Sequence, residues 1–118
     1  MRKFYKGLEV LCTKYDTVLI ADEVQSGFGR TGDFFAFQKH GLTPHIISMA
    51  KGMGNGFPVG GILIHPSIKA SYGLLGTTFG GNHLASTATL AVLNVLESED
   101  LMQNTKAMSA YFKEKAKA

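Results

Sequence analysis

The sequence predicts an α/β fold in which helices pack on a small sheet of three strands. Two short apolar runs, at 18–21 and 46–49, have the length and composition of strands that are covered on both faces. Apolar residues with the period of a helix precede the first run, at 2–15, and follow the third strand, at 83–97. Short connections join these segments, so the order of helix, strands and helix indicates one α/β unit.

Three helices are predicted along the chain. One face of the first, at 2–15, carries the apolar residues Phe4, Leu8, Leu11, Cys12 and Tyr15. The long helix at 83–97 has Asn82 as its predicted N-cap, because an asparagine side chain there can accept a hydrogen bond from the first turn. A last helix is predicted at 101–116.

Three strands and two shorter turns lie between these helices. The strands are predicted at 17–22, 46–50 and 60–65. An aromatic cluster predicts one helical turn that ends at Gly41; its members are Phe34, Phe35 and Phe37. A second short helical turn is predicted to begin at Pro66.

The composition is that of a folded domain and argues against several classes of protein. Of the 118 residues, 45% are hydrophobic and 18% are charged, which is a globular balance. No apolar run approaches the ~20 residues of a membrane span, and no apolar stretch of a secretory signal follows the N-terminus. The single cysteine, Cys12, excludes an internal disulfide and fits a reducing compartment. We therefore expect a cytoplasmic protein that does not contact a membrane.

Charge and histidine spacing argue against two kinds of ligand. The net charge is +3, and the basic residues of the last helix form a solvated face: Lys106, Lys113, Lys115 and Lys117. Because no basic cluster alternates with aromatic residues, we expect no nucleic-acid partner. The four histidines show no metal-ligand spacing, and we expect no metal site.

Two residues of opposite charge mark the ends of the first two strands. Asp22 ends the first strand, and Lys51 follows the second. Buried strands that end in this way place the acid and the lysine at the carboxyl edge of one sheet, where ligands bind in open α/β folds. This edge is the predicted site.

The pair of charges suits the chemistry of pyridoxal phosphate. That cofactor needs a lysine for its aldehyde and a carboxylate that keeps its pyridine nitrogen protonated. Its phosphate needs hydroxyls and backbone N–H groups, which Thr77 and Thr78 offer ahead of the helix at 83–97. Each feature alone has a simpler explanation: Asp22 as a cap or ion-pair partner, Lys51 as a solvated side chain, and the threonines as turn residues.

Five segments carry a resemblance to a known family. They read DEVQSGFGRTG at 22–32, TPHI at 43–46, AKG at 50–52, GFPVG at 56–60 and TTFGGN at 77–82. Their order and spacing resemble the class III aminotransferases, which are pyridoxal-phosphate enzymes of the aspartate aminotransferase fold. The likeness is greatest to the acetylornithine and ornithine aminotransferase branch. It implies that the third strand runs antiparallel to its neighbour in an otherwise mostly parallel sheet.

The resemblance implies a role for each matching residue. Asp22 would pair with the pyridinium nitrogen, Val24 would pack on one face of the ring, and Gln25 would bind near the phenolic oxygen. Lys51 would hold the cofactor as a Schiff base and move the proton between the α-carbon and C4′. Thr78 would bind the phosphate from the neighbouring subunit of a homodimer. Arg30, which also matches the family, is given only a structural role.

The resemblance also implies a reaction. It is transfer of an amino group to 2-oxoglutarate, from acetylornithine, succinylornithine or ornithine, in arginine biosynthesis. Gln25 supports this branch, although aminotransferases of the 4-aminobutyrate type share the glutamine and remain the alternative.

In that family the large domain is much longer than this chain. The resemblance therefore implies that residues 1–118 lack its N-terminal half and the C-terminal small domain, and that the chain alone is inactive. The competing hypothesis is a non-catalytic truncated or split product that acts only by assembling with a missing half. In either case we expect an exposed edge strand, exposed apolar surface and self-association.

Overall fold

The computed structural model describes residues 2–117. Its elements are α1 (Arg2–Lys14), β1 (Ile20–Asp22), β2 (Ile46–Met49), β3 (Gly61–Ile64), α2 (His83–Ser98) and α3 (Leu101–Lys115). Two short 3₁₀ helices lie between them: the aromatic turn (Ala36–His40) follows β1, and the lysine turn (Lys51–Met53) follows β2. The three predicted helices are confirmed to within two residues at each end.

The sheet has the predicted topology. Its strand order is β1-β2-β3, and β1 runs parallel to β2 with Ile20 opposite Ile46 and Asp22 opposite Ser48. β3 runs antiparallel to β2. Because β1 and β2 are parallel, Asp22 and the lysine turn leave the sheet at the same edge, as the sequence predicts.

The first and third strands are shorter than predicted because pairing with β2 limits them. β2 begins at Ile46, whose partner in β1 is Ile20, so residues 17 and 18 lie beyond the ladder. Leu19 still accepts backbone hydrogen bonds from His45 and Ile46, at 2.8 and 3.2 Å. A single turn is present at Pro66, where Ile68 N–H donates to His65 C=O at 3.0 Å, and it does not continue into a helix.

Few apolar side chains of the described residues are buried. Phe35 and Ala85 are the hydrophobic residues below one-tenth exposure, at 7% and 5%. The expectation that the first apolar run is covered on both faces is wrong, because Ile20 in the edge strand β1 is 58% exposed and Val18, just before that strand, is 48% exposed. The expectation of exposed apolar surface is confirmed, with Phe4, Leu84 and other large side chains open to solvent. Within residues 2–117, no helix combines the length and apolar character that crossing a membrane requires.

Helix α1 is fastened to the rest of the chain through Glu9. Its carboxylate accepts a hydrogen bond from Lys6 Nζ at 2.6 Å and another from the backbone N–H of Thr43 at 2.7 Å. The bond from Lys6 first, and then the bond from Thr43, lower the pKa of Glu9 below its ordinary value of 4.5. Tyr5 adds a ring contact to His40 of the aromatic turn, with centroids 4.3 Å apart.

The Glu9 contact predicts a specific acid sensitivity. Because folding lowers the pKa of Glu9, its contribution to stability is complete above 4.5 and is lost as the pH falls through the lower folded-state value. We expect Glu9→Gln to remove this part of the acid dependence of the thermal unfolding midpoint. The matched substitution Glu97→Gln, at an exposed position of α2, should leave that dependence unchanged. Equal acid dependence in the wild type and Glu9→Gln would contradict the prediction.

Candidate cofactor site

Asp22 anchors the edge of the sheet from which the site is built. Its Oδ1 accepts hydrogen bonds from the Ser48 hydroxyl at 3.0 Å and from the Val24 N–H at 3.1 Å. The first contact ties β1 to β2, and the second turns the chain off the strand toward Val24 and Gln25. Both bonds that residues 2–117 give to this carboxylate go to Oδ1, so Oδ2 keeps its capacity to accept a hydrogen bond.

Lys51 lies in an unusual backbone conformation directly after β2. Its φ is +45°, in the left-handed region that costs a residue with a side chain about 1–2 kcal/mol. The lysine turn is closed by three hydrogen bonds: Met53 N–H donates to Ala50 C=O at 2.9 Å, and the Gly54 and Asn55 N–H groups donate to Lys51 C=O at 3.2 and 3.1 Å. Strained conformations of this kind are concentrated at functional sites, where the surrounding structure holds them.

Three of the predicted site residues come together around one cavity. It has a volume of about 410 Å³ and is lined by Val24, Gln25, Gly27, Phe28, Arg30, Lys51 and Gly52. We call this the lysine cavity. Its lining contains two cationic groups and no carboxylate, which suits an anionic ligand.

Two of the predicted site residues lie outside the lysine cavity. Asp22 leaves the sheet at the same edge but lines a separate cavity of about 260 Å³ beside α1. Thr78 lies in the exposed segment 69–82 and does not line the lysine cavity. The predicted cap of α2 is present, since Asn82 Oδ1 accepts a hydrogen bond from Ala85 N–H at 2.9 Å.

Sequence reasoning missed several residues that shape this site. The resemblance implies only a structural role for Arg30, yet Arg30 and Lys51 both line the lysine cavity. Phe28 packs on Gly52, where an added Cβ would lie 3.3 Å from the Phe28 Cβ. Glu23 is 3% exposed and accepts three hydrogen bonds. Nothing in the sequence around Glu23 distinguishes it from a solvated acid. Gly52, by contrast, is a signal in the sequence for the close approach of Phe28 to the backbone after Lys51.

The groups at this edge fit pyridoxal phosphate. In the part of the chain that the structure describes, Lys51 Nζ makes no ion pair and is exposed at the cavity. The free Asp22 Oδ2 can accept from a pyridinium N–H, and Val24 and Gln25 supply an apolar side chain and an amide near the lysine. The aldehyde end of the cofactor therefore has partners in the lysine cavity, and the carboxylate for its ring nitrogen lies outside that cavity at the same edge of the sheet.

Comparison with known proteins agrees with this fit. A model of the class III aminotransferase family matches residues 1–118. Acetylornithine aminotransferase from Archaeoglobus fulgidus is 47% identical over 118 residues, which cover 98% of this chain and 32% of that protein. The mitochondrial alanine–glyoxylate aminotransferase 2 homolog 2 of Arabidopsis thaliana is 49% identical over 116 residues, which cover 89% of this chain and 24% of that protein.

The structural comparison leads to the same class. The taurine:2-oxoglutarate aminotransferase from Bifidobacterium kashiwanohense, in complex with pyridoxal phosphate and glutamate, matches with a TM-score of 0.88. The identity is 33%, and the match covers 93% of this chain and 26% of that chain. The fold is therefore that of the pyridoxal-phosphate-dependent aminotransferases. More narrowly, the chain belongs to the class III aminotransferases, whose cofactor is pyridoxal phosphate. It spans about a quarter to a third of the length of the two relatives named above.

Proposed function

We propose that Lys51 holds pyridoxal phosphate covalently and that the protein acts in transamination with 2-oxoglutarate as the amino acceptor. The observation that carries this proposal is the lysine cavity, where Lys51, Val24 and Gln25 meet at the carboxyl edge of the sheet. When bound, the cofactor supplies an aldehyde for attachment and a ring that withdraws electrons from the substrate.

Each residue of the site has a distinct task in this proposal. The Lys51 amine would form the covalent link and, once released, would carry a proton at Nζ to and from the substrate carbon. The Asp22 carboxylate would accept the pyridinium N–H through Oδ2, since Oδ1 already accepts from Ser48 and Val24. The Val24 side chain would pack on the ring, and the Gln25 amide would donate to the ring oxygen.

The proposed role of Thr78, binding of the cofactor phosphate, requires a homodimer. Its hydroxyl belongs to an exposed segment that does not reach the lysine cavity of its own chain. We propose that it binds the cofactor phosphate at the site of a second copy, which makes the dimer the functional unit. Sedimentation analysis of the protein should show a dimer, and a monomer across the concentration range would contradict this assignment.

The preferred amino donor in this proposal is acetylornithine. The support is the identity to the acetylornithine aminotransferase of Archaeoglobus fulgidus, together with Gln25. Succinylornithine and ornithine belong to the same branch, and 4-aminobutyrate is the alternative donor. The names of two other similar proteins contain the amino compounds alanine and taurine, so similarity to this family does not by itself fix the donor.

We further propose that these 118 residues supply the cofactor site and that turnover needs residues beyond them. The support is the coverage of the relatives, which extend well beyond the matched segment. Held geometry can lower a barrier by ~7–11 kcal/mol, and this chain provides only part of that geometry. The alternative, a non-catalytic chain that acts by assembly, is supported by the extensive exposed apolar surface.

One experiment separates these proposals. The chain is tagged at its own gene in the organism that encodes it, purified with whatever accompanies it, and supplied with pyridoxal phosphate and 2-oxoglutarate. Glutamate formation is then followed with acetylornithine, succinylornithine, ornithine or 4-aminobutyrate. We expect turnover with acetylornithine that is absent in Lys51→Arg, and no turnover by the 118-residue chain made alone. No glutamate from any donor in the native preparation would favour the non-catalytic alternative.

A further inference from the structure

We propose that Glu23 is a positioning residue for Lys51. Its buried carboxylate fixes the loop that supports the lysine turn, and the loss of that support should move the Lys51 amine out of the lysine cavity. This inference rests on the proposed function in that it takes Lys51 as the residue that holds the cofactor.

The Glu23 carboxylate closes the loop 24–35 at both ends. Oε2 accepts from the Ser26 hydroxyl at 2.7 Å and from the Ala36 N–H at 3.0 Å, and Oε1 accepts from the Phe37 N–H at 2.9 Å. The two backbone donors belong to the start of the aromatic turn, so the side chain caps that turn. One carboxylate therefore joins the end of β1 to residues thirteen and fourteen positions downstream.

The backbone of Glu23 tightens the near end of the same loop. Gly27 N–H donates to Glu23 C=O at 2.9 Å, and a Cβ added at Gly27 would lie 2.8 Å from that oxygen. The far end closes where Gly29 N–H donates to Phe34 C=O at 3.3 Å. Since Glu23 is 3% exposed, water cannot replace these partners readily if the carboxylate is changed.

A continuous series of aromatic contacts leads from this carboxylate to Lys51. Phe35 is buried next to the two amides that Glu23 caps, and its ring meets the ring of Phe34 edge-on at 4.8 Å. Phe34 meets Phe28 at 5.2 Å, and Phe28 packs on Gly52, the residue after Lys51. The loop that Glu23 fixes is thus one wall of the lysine turn.

The conformation of Lys51 explains why this wall matters. A lysine with φ of +45° lies outside its preferred backbone regions, and only the surrounding structure keeps it there. If Phe28 withdraws from Gly52, the turn can relax to a common conformation. The Lys51 amine would then no longer face Val24 and Gln25.

The test compares Glu23→Gln with Glu97→Gln, the same chemical change at an exposed position of α2. The Ala36 and Phe37 amides donate to different oxygens of Glu23. Glutamine replaces one of these oxygens by an NH₂ group, which is a donor, so one of the two amides loses its acceptor. Each purified chain is mixed with pyridoxal phosphate, reduced with borohydride and digested. Mass spectrometry then gives the labelling of Lys51 relative to exposed Lys69, at a temperature where unfolding curves show every variant folded.

We expect Glu23→Gln to lower the ratio of Lys51 to Lys69 labelling by about tenfold, the order of loss typical when a group that orients a ligating residue is removed. Glu97→Gln should keep the wild-type ratio. A second readout needs no cofactor: hydrogen exchange at the Met53 and Gly54 amides, whose hydrogen bonds close the lysine turn, should accelerate in Glu23→Gln only.

Ser26→Ala removes one of the three hydrogen bonds to the Glu23 carboxylate. This variant replaces Glu23→Gln in the test if Glu23→Gln does not fold. It should lower the labelling ratio in the same direction by a smaller factor. A wild-type ratio near one would overturn the role of Lys51, and with it the proposed function, whereas the exchange measurement would still test the support of the turn by Glu23. A high wild-type ratio that Glu23→Gln and Ser26→Ala leave unchanged, with unchanged exchange, would overturn this inference alone.

Discussion

Replacing Lys51 by arginine is expected to abolish covalent capture of pyridoxal phosphate by the chain. Arginine keeps the positive charge and the approximate length of the side chain. Its guanidinium stays protonated at every relevant pH and supplies no free amine for the aldehyde. The measurement is the visible absorbance of the lysine-linked cofactor after gel filtration. We expect the absorbance of the Lys51→Arg chain to fall to the level that non-specific labelling of other lysines gives.

The control for this substitution is Lys69→Arg. Lys69 is exposed and does not line the lysine cavity, so its loss should leave the absorbance of the wild type. Thermal unfolding midpoints of both variants should agree with the wild type, because Lys51 and Lys69 make no ion pair among residues 2–117. Absorbance that survives in Lys51→Arg would show that another lysine is the anchor.

Gly54→Ala is expected to cause the largest loss of stability among single methyl additions in the chain. A Cβ at this position would run into the backbone oxygen of Phe57 and lie 2.6 Å from the Val59 side chain. The nearest atom belongs to the backbone, so a rotamer change cannot relieve the overlap. We expect the free energy of unfolding to fall by about 2–3 kcal/mol, the upper part of the range for overpacking. Because Gly54 N–H closes the lysine turn, cofactor capture should fall as well.

Gly7→Ala is the matched control for the added methyl group. Gly7 lies inside α1, and a Cβ there would meet no atom within 4 Å. Alanine is favoured over glycine in a helix interior by about 1 kcal/mol, so this variant should be more stable than the wild type. Urea unfolding of both variants provides the comparison. A Gly54→Ala chain as stable as Gly7→Ala would show that the turn around Gly54 is looser than the structure describes.

The frame of the site could be predicted because it depends on strand ends. The apolar runs locate β1 and β2, so Asp22 is placed at the end of β1 and Lys51 just after β2. Parallel pairing then brings both residues to one edge, which the register confirms. The cap at Asn82 was equally local, since it depends only on the three residues that follow it.

The support of the site could not be predicted because it depends on distant contacts. Glu23 looks like any acid after a strand, and its partners are backbone amides thirteen and fourteen residues away. The exposure of Ile20 also depends on tertiary structure, since an apolar run cannot reveal whether an element covers it. Thr78 belongs to a recognisable motif, but its segment is exposed throughout, so the motif alone does not bring it to the lysine cavity.

The most direct test of the central claim is a crystal structure of the chain after pyridoxal phosphate has been added and reduced with borohydride. Reduction makes the link permanent, so weak binding does not limit the experiment. The account predicts density continuous with Lys51 Nζ, the ring against Val24, and the ring nitrogen within hydrogen-bonding distance of Asp22 Oδ2. Density on another lysine, or a ring turned away from Asp22, would contradict it.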